Sequence, residues 1–291
     1  MKLQTLFEQK KVVFSLEIFP PKKTSSIQTI YDTLDALSDI SPDFISVTYG
    51  AGGNPADRST VQIASSIKHQ YHIEPLAHLT CVNSTKEHVG MLLDDLRENE
   101  IENILALRGD INPNVPPQTD YHYASDLIRE IKRYGGFDIA AACYPEIHPE
   151  APDLEEDIRH LKEKVDAGAS HLISQLFFDN NDFYNFLYRV RQAGITVPVE
   201  AGIMPVTNRK QIERMVSLCG ASLPKKFVRI MHRYGEDPAA MQDAGIAYAV
   251  EQIVDLIANG VQGIHLYTMN NPVVAHRINQ AVASLIRCSN R

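Results

Sequence analysis

The chain has 291 residues and a formal net charge of −8. That balance lacks the basic footprint nucleic-acid binding requires, while 44% hydrophobic and 22% charged residues exclude a disordered chain. At about 150 residues per domain the length suggests two domains, but α/β barrels commonly reach about 250 residues as one.

Short apolar or β-branched runs alternate along the chain with longer amphipathic stretches. The runs are 12–18, closed by Pro20 and Pro21, then 44–49, 74–80, 103–108, 138–144, 171–178, 197–204 and 263–268. Most are too continuously apolar for a one-sided sheet and suit strands buried on both faces. The intervening stretches carry helical periodicity. Residues 24–38 place Ile27, Ile30, Leu34 and Leu37 three and four apart, and 59–69, 85–98, 124–134, 154–167, 181–193, 208–219 and 243–259 follow suit. Capping residues open several of them, and Gly168, Gly194 and Gly260 stand just beyond three ends. Stretches 223–234 and 273–286 read as extra helices towards the C-terminus.

Eight strand–helix alternations predict a parallel sheet. Closing it into a (β/α)8 TIM barrel uses all eight within this length, and residues 1–291 are expected to form a single domain. A doubly wound sheet is the alternative fold. No GxGxxG follows any run, which disfavours a dinucleotide site of Rossmann type. Cys81, Cys143, Cys219 and Cys288 form no CxxC pair, so reduced and mostly buried thiols are expected. Residues 1–11 contain no apolar signal core, and no run approaches the roughly 18 residues of a membrane span. The expectation is a soluble, cytoplasmic protein.

In a barrel, chemistry gathers at the C-terminal strand ends. Those ends supply Glu17, Thr48, His78, Arg108 with Asp110, Tyr144 with His148, Gln175, and Tyr267 with Asn270. Polar residues return at strand ends anyway, so the recurrence at strand after strand is the informative part. Glu17 sits in an apolar strand end, where desolvation is expected to raise its pKa and provide a general acid. A salt-bridged or exposed carboxylate is the bland alternative. Arg108 can hold a phosphate through both arms of its guanidinium, and Gly109 permits close backbone approach. A structural Arg108–Asp110 pair around a turn glycine fits the spacing equally well. The loop 49–53 holds Gly50, Gly52 and Gly53, which suits either a plain turn or amides directed at a phosphate. His78 and His148 come from different strand ends and lack companions at ligand spacing, so no metal is expected. No GxSxG elbow is present. No run contains a Schiff-base lysine, which disfavours an aldolase or lyase.

The chain resembles the methylenetetrahydrofolate reductase family in these segments: 15–21, 44–51, 77–81, 105–110, 123–127, 144–151, 164–169, 175–179, 202–206 and 265–268. The resemblance implies a TIM-barrel flavoprotein of the bacterial, catalytic-domain type. FAD would be reduced by NADH or NADPH in ping-pong fashion. Then 5,10-methylenetetrahydrofolate would become 5-methyltetrahydrofolate, serving one-carbon metabolism and methionine biosynthesis. It implies a homo-oligomer, tetramer or dimer, that binds folate and nicotinamide nucleotide but no nucleic acid or membrane. Glu17 falls at the position of the acid that opens the imidazolidine ring. Asp110 falls at that of the carboxylate beside flavin and pterin. FAD contacts carried over are Thr48, Tyr49, Ala51, His78, Arg108, Gly109, Asp110, Tyr123, Ala124, Tyr144, His148, Ala151, Asp157 and Lys164. Folate contacts are Thr48, Asp110, Gln175, Gln211 and Met215. Met215 replaces a Phe of some members. Asn271 stands where several carry an Arg that reaches the folate tail, leaving Arg277 or Lys210 as substitutes. His160 and Glu163 also depart from the pattern, and Glu163 is expected to point outward. Retention of Glu17, Asp110 and Gln175 together speaks against a catalytically silent binding subunit.

Overall fold

Apolar runs buried on both faces become the staves of a closed barrel. The structure is a computed structural model describing residues 1–21, 26–49, 58–111 and 119–291. Its strands are β1 (Val13–Ile18), β2 (Phe44–Val47), β3 (Glu74–Thr80), β4 (Asn103–Leu107), β5 (Asp138–Cys143), β6 (His171–Ser174), β7 (Val199–Ile203) and β8 (Gly263–Tyr267). They form one closed barrel in chain order, with every neighbouring pair parallel. β1 closes the ring, with Ser15 opposite Phe44 on one side and His265 on the other. The predicted (β/α)8 barrel is therefore the observed fold, and the doubly wound sheet is not.

The helices are α1 (Gln4–Gln9), α2 (Gln28–Leu37), α3 (Ser59–His69), α4 (Lys86–Glu98), α5 (Ala124–Tyr134), α6 (Leu154–Ala167), α7 (Asn180–Gln192), α8 (Arg209–Cys219), α9 (Lys225–Tyr234), α10 (Pro238–Ala258) and α11 (Pro272–Ser289). The apolar stripes of most of them cover the outer faces of the strands in one large core, while α8 and α9 pack in a second cluster with Phe178, Met204 and Val206. Side-chain caps fix several starts: Thr85 accepts from His88 N–H, Asp153 from Glu156 N–H and Asn208 from Gln211 N–H. Of the extra helices, α9 joins α8 and α10 in the β7–β8 crossover, while α11 follows β8 and packs on α10 and α2. α10 begins earlier than its periodicity predicts, because Asp237 caps it and Pro238 opens it.

Two further departures have packing reasons. Residues 1–11 contain α1, whose Leu6 joins Leu3 in plugging the barrel floor against Val13, Phe44, Leu76, Leu105, Ala140 and Ile173. The run 171–178 stops as a strand at Ser174. Phe177 stacks on Phe183 and Phe178 on Phe227, with ring centroids 4.9 and 5.4 Å apart, so both bury themselves outside the ladder. Cys81 and Cys143 are buried, Cys219 is half-buried and Cys288 is exposed. Among the described residues no helix is long and apolar enough to cross a membrane.

The barrel interior is unusually polar for a packed core. Ser15, Glu17, Ser46, His78, Asn103, Asp138, His171, Glu200 and His265 are all buried strand residues. Two glycines make room for Tyr267 and Glu200. A Cβ on Gly202 would lie 2.2 Å from the Ser174 carbonyl oxygen and 2.8 Å from Tyr267, and one on Gly263 would lie 2.5 Å from Glu200 Cγ.

Candidate active site

A cleft of about 760 Å³ opens over the C-terminal ends of the strands. Its floor is apolar, with Leu105, Leu107, Ala142 and Ile173, and polar groups converge on it. Thr48, Tyr49, His78, Arg108, Gly109, Asp110, Ala124, Tyr144, His148, Lys164, Gln175 and Met215 all line it together with Glu17. Most of the sequence-derived set thus meets in one place, because parallel strands bring all their C-terminal ends to one rim.

Glu17 is 6% exposed. Its Oε2 lies 3.4 Å from His265 Nε2, 3.3 Å from Ser46 Oγ and 3.4 Å from His78 Nε2. The expectation that burial leaves this carboxyl with a raised pKa is overturned. Burial does push it up, but the His265 hydrogen bond, the charges of His78 and His265, and the Ser46 hydroxyl outweigh it and hold the carboxyl below its ordinary value. Burial lowers His78 to about 4, so at neutral pH this ring is uncharged. The hydrogen bonds from His265 and Ser46 then carry the lowering.

The strand end carrying Glu17 is tied from β8. Thr268 Oγ1 donates to the Glu17 carbonyl at 2.6 Å, and Asn270 both accepts from Phe19 N–H at 2.9 Å and donates to its carbonyl at 2.8 Å. Tyr267 hydroxyl donates to the Ser174 carbonyl at 2.8 Å, across the space that Gly202 leaves open. Gln175 Oε1 accepts from Leu176 N–H at 2.9 Å, which leaves its amide NH2 for a ligand.

Cations gather on the β4–β6 side. Arg108 does not pair with Asp110; its two terminal nitrogens grip Glu150 at 2.5 and 2.7 Å. Lys164, on α6, donates to the Ala142 carbonyl at 2.8 Å, and burial lowers its pKa. His148 packs edge-on against Tyr144, with centroids 4.6 Å apart. Its Nδ1 accepts from Glu150 N–H, so its Nε2 carries the proton.

Some assigned contacts fall outside the cleft lining. Tyr123 is 64% exposed and stacks on His160, because the start of α5 points its N-cap side chain outward. Ala151 and Gln211 do not line the cleft, and Gln211 is exposed on the first turn of α8. Asp157 acts one step removed: its Oδ2 accepts from His148 N–H at 3.0 Å. Ala51 and the rest of the glycine loop beyond Tyr49 lie outside the described residues. Glu163 pairs with Arg159 on the outer face of α6, as expected. Asn271 caps α11 by accepting from Val274 N–H, and Arg277 pairs with Asp243 at 2.6 Å. Both side chains are therefore engaged locally. Sequence reasoning missed Glu200, and noted Ser15, Ser46 and His265 only as parts of motifs. The signal was there, as polar residues two apart inside apolar runs.

Fold and cleft together define a (β/α)8 barrel whose polar groups converge on the C-terminal rim, where barrel enzymes place their chemistry. The chain belongs to the methylenetetrahydrofolate reductase family, whose model matches residues 2–283. It is 36% identical over 276 residues to the 5,10-methylenetetrahydrofolate reductase of Pectobacterium carotovorum, covering 94% of this chain and 92% of that one. It is 35% identical over 284 residues to methylenetetrahydrofolate reductase (NADH) 1 of Arabidopsis thaliana, covering 92% of this chain and 48% of the plant protein. Among solved structures, an uncharacterized protein from Clostridium thermocellum, described as binding two copies of 5-methyl-5,6,7,8-tetrahydrofolic acid, has a TM-score of 0.68 at 14% identity over 98% of both chains. That last likeness shows the fold.

Proposed function

We propose that the protein catalyses FAD-dependent reduction of 5,10-methylenetetrahydrofolate to 5-methyltetrahydrofolate, with NADH or NADPH as donor, residues 1–291 acting as one catalytic domain in a cytoplasmic homo-oligomer. The observation that carries this reading is Glu17, a buried carboxyl at the bottom of a ring-sized cleft in a chain of this family.

The residues present fit a flavin nucleotide. The apolar floor suits a fused ring system, and the cleft volume falls in the usual range for a bound ligand. His78 Nε2 is buried without a hydrogen-bond partner and lines the cleft, a polar atom available to a heterocycle. Glu150 fills both arms of Arg108 as a diphosphate would, and Glu150 is 58% exposed, free to yield the place. Arg108, Lys164, Thr48, Tyr49, His78, Tyr144 and His148 would hold the cofactor. FAD, when bound, supplies the hydride.

The protein's own residues do the rest. The departing nitrogen of the imidazolidine ring needs a proton before the reactive iminium forms, and Glu17 gives it. Asp110, exposed at the cleft rim, favours that cation and accepts hydrogen bonds from the pterin. Gln175 offers its amide to the folate and, in its turn, to the nicotinamide. Met215 packs on whichever ring is bound, being polarizable and adaptable.

Anaerobic stopped-flow of the purified yellow protein tests the assignment, each nucleotide being mixed first and methylenetetrahydrofolate second. Bleaching by NADH or NADPH and recovery of colour with folate are expected; a colourless protein that does not take up FAD would refute it. Asp110→Asn is expected to raise the flavin potential and slow reoxidation by folate about tenfold, the loss of roughly one charge interaction in a partly solvated cleft. An unchanged potential would remove Asp110 from its electrostatic role.

A further inference from the structure

The acid step presents a conflict. Glu17 is held ionised in the resting site, yet the reaction assigned above needs its proton. A second carboxyl lies beneath it. Glu200 on β7 is wholly buried, and Gly263 is bare where any Cβ would strike its side chain. Ser15 Oγ lies 2.8 Å from Glu200 Oε2 and 2.7 Å from His265 Nδ1. The other nitrogen of that ring, Nε2, faces Glu17 Oε2 at 3.4 Å. One chain of polar atoms therefore joins two carboxyls 183 positions apart in sequence.

We propose that Glu17 and Glu200 share one proton through Ser15 and His265, and that a folate covering the cleft draws it to Glu17. The proposal rests on the reductase reading and adds to it the means by which the acid is armed.

Two hydrogen-bond arrangements satisfy the chain. In the first, Glu200 O–H donates to Ser15 Oγ, Ser15 donates to His265 Nδ1, and His265 Nε2–H donates to the Glu17 carboxylate. In the second, Ser15 donates to the Glu200 carboxylate, His265 Nδ1–H donates to Ser15, and Glu17 O–H donates to the bare Nε2. Conversion breaks O–H bonds at Glu200 and Ser15 and the N–H bond at Nε2. It forms bonds to hydrogen at Ser15, Nδ1 and Glu17, so the charge moves from one carboxyl to the other and the ring only changes tautomer. After Glu17 passes its proton to the substrate nitrogen, one proton taken up from bulk solvent through the reopened cleft replaces it.

The surroundings favour the first arrangement at rest. Glu200 Oε1 has no hydrogen-bond partner, nor has His171 Nε2, 3.9 Å away, and an ionised carboxyl with an unpaired oxygen is costly in a core. Glu200 is faced by Ser15 from β1, His265 from β8 and His171 from β6, with Asp43 ahead of β2 acting from further off. Burial lifts Glu200 to about 7, against the pull of His265 and Ser15, and burial lowers His171 to about 4, so His171 brings no positive charge at neutral pH. Glu17 is faced by His265 and Tyr267 from β8, His78 from β3 and Ser46 from β2. A ligand lying over Glu17 strips its remaining water, and desolvation favours its neutral form.

The test follows the His265 tautomer by ¹⁵N NMR, and the protonated-carboxyl band by infrared, in the oxidised flavoprotein before and after adding 5-methyltetrahydrofolate. The expected change is from Nε2–H to Nδ1–H. In Glu200→Gln the tautomer should no longer respond. Its folate half-reaction should fall about tenfold per pH unit between pH 6 and 8, where the wild type stays nearly level up to pH 7, because Glu17 then depends on its own proton affinity. Flavin reduction by the nucleotide serves as the control for a sound fold. Ser15→Ala cuts the same chain with both carboxyls in place and must give the same profile if Glu200→Gln does not fold. A tautomer indifferent to folate, or a wild-type pH profile in a folded variant, overturns the shared proton. A responsive tautomer in a protein that does not reduce folate upholds the shared proton and refutes the assigned reaction instead.

Discussion

Glu17→Gln is expected to slow reoxidation of the reduced flavoprotein by methylenetetrahydrofolate by about 10²–10⁴-fold, the usual contribution of a positioned general acid. Reduction by the nicotinamide nucleotide should stay within about twofold. Glutamine keeps the shape of the side chain, and its amide can still meet Ser46 and His265, which lie 3.3 and 3.4 Å from Glu17 Oε2. It has no proton to release. The two half-reactions separate the roles, because hydride transfer from the nucleotide involves no departing nitrogen. Stopped-flow absorbance, recorded separately for each half-reaction, measures both rates. Equal loss in the two would mean that Glu17 shapes the cleft rather than acting as an acid.

Acidification should weaken the fold well before ordinary carboxylates titrate. His78 and His171 titrate near 4 in the folded protein against an ordinary 6.5, burial being the main cause in each. The unfolded chain therefore binds protons first. The stability that these two neutral rings contribute is complete above pH 6.5 and is lost as pH falls towards 4. Glu200 has the opposite sign. Its folded value near 7, against an ordinary 4.5, lets the native state bind the proton first and regain stability as pH falls through that window. Among these three groups, two histidines against one carboxyl leave a net uptake of about one proton on unfolding between pH 6.5 and 4.5. At about 1.4 kcal/mol per pH unit, the loss is roughly 3 kcal/mol. Glu17, held below its ordinary 4.5, adds a further loss only at lower pH. Urea denaturation across this range measures the slope, and Glu200→Gln should roughly double it by removing the opposing carboxyl. A level profile from pH 6.5 to 4.5 would contradict the buried, neutral histidines.

Much of the barrel was legible because its physics is local. Strands buried on both faces read as apolar runs, and caps such as Thr85, Asp153 and Asn208 mark helix starts through bonds made within one turn. Ends were less legible. Residues 171–178 form one apolar run, but only His171–Ser174 find ladder partners, since Phe177 and Phe178 have aromatic neighbours elsewhere. The plug formed by Leu3 and Leu6 was hidden, because Leu3, Leu6 and Phe7 have helical spacing over little more than one turn, too short to stand out from a polar stretch.

The site divides in the same way. Glu17, Asp110, Arg108 and Gln175 stand at strand ends, so the rule that barrel chemistry gathers there collects them. Their partners do not follow from position. Arg108 faces Glu150 rather than Asp110, and Asn271 turns to its own helix rather than to a ligand. By itself the sequence determined the alternation of strands and helices, the strand ends at which the polar groups stand, and the family to which the chain belongs. Only the tertiary structure decided the charge state of Glu17, because desolvation acts against hydrogen bonds from β2 and β8 and their balance depends on distances across the barrel. Only closure of the ring brought Ser15, Glu200 and His265 together, since contacts spanning 185 and 250 positions arise from the order of the strands around the barrel and leave no mark in any local pattern.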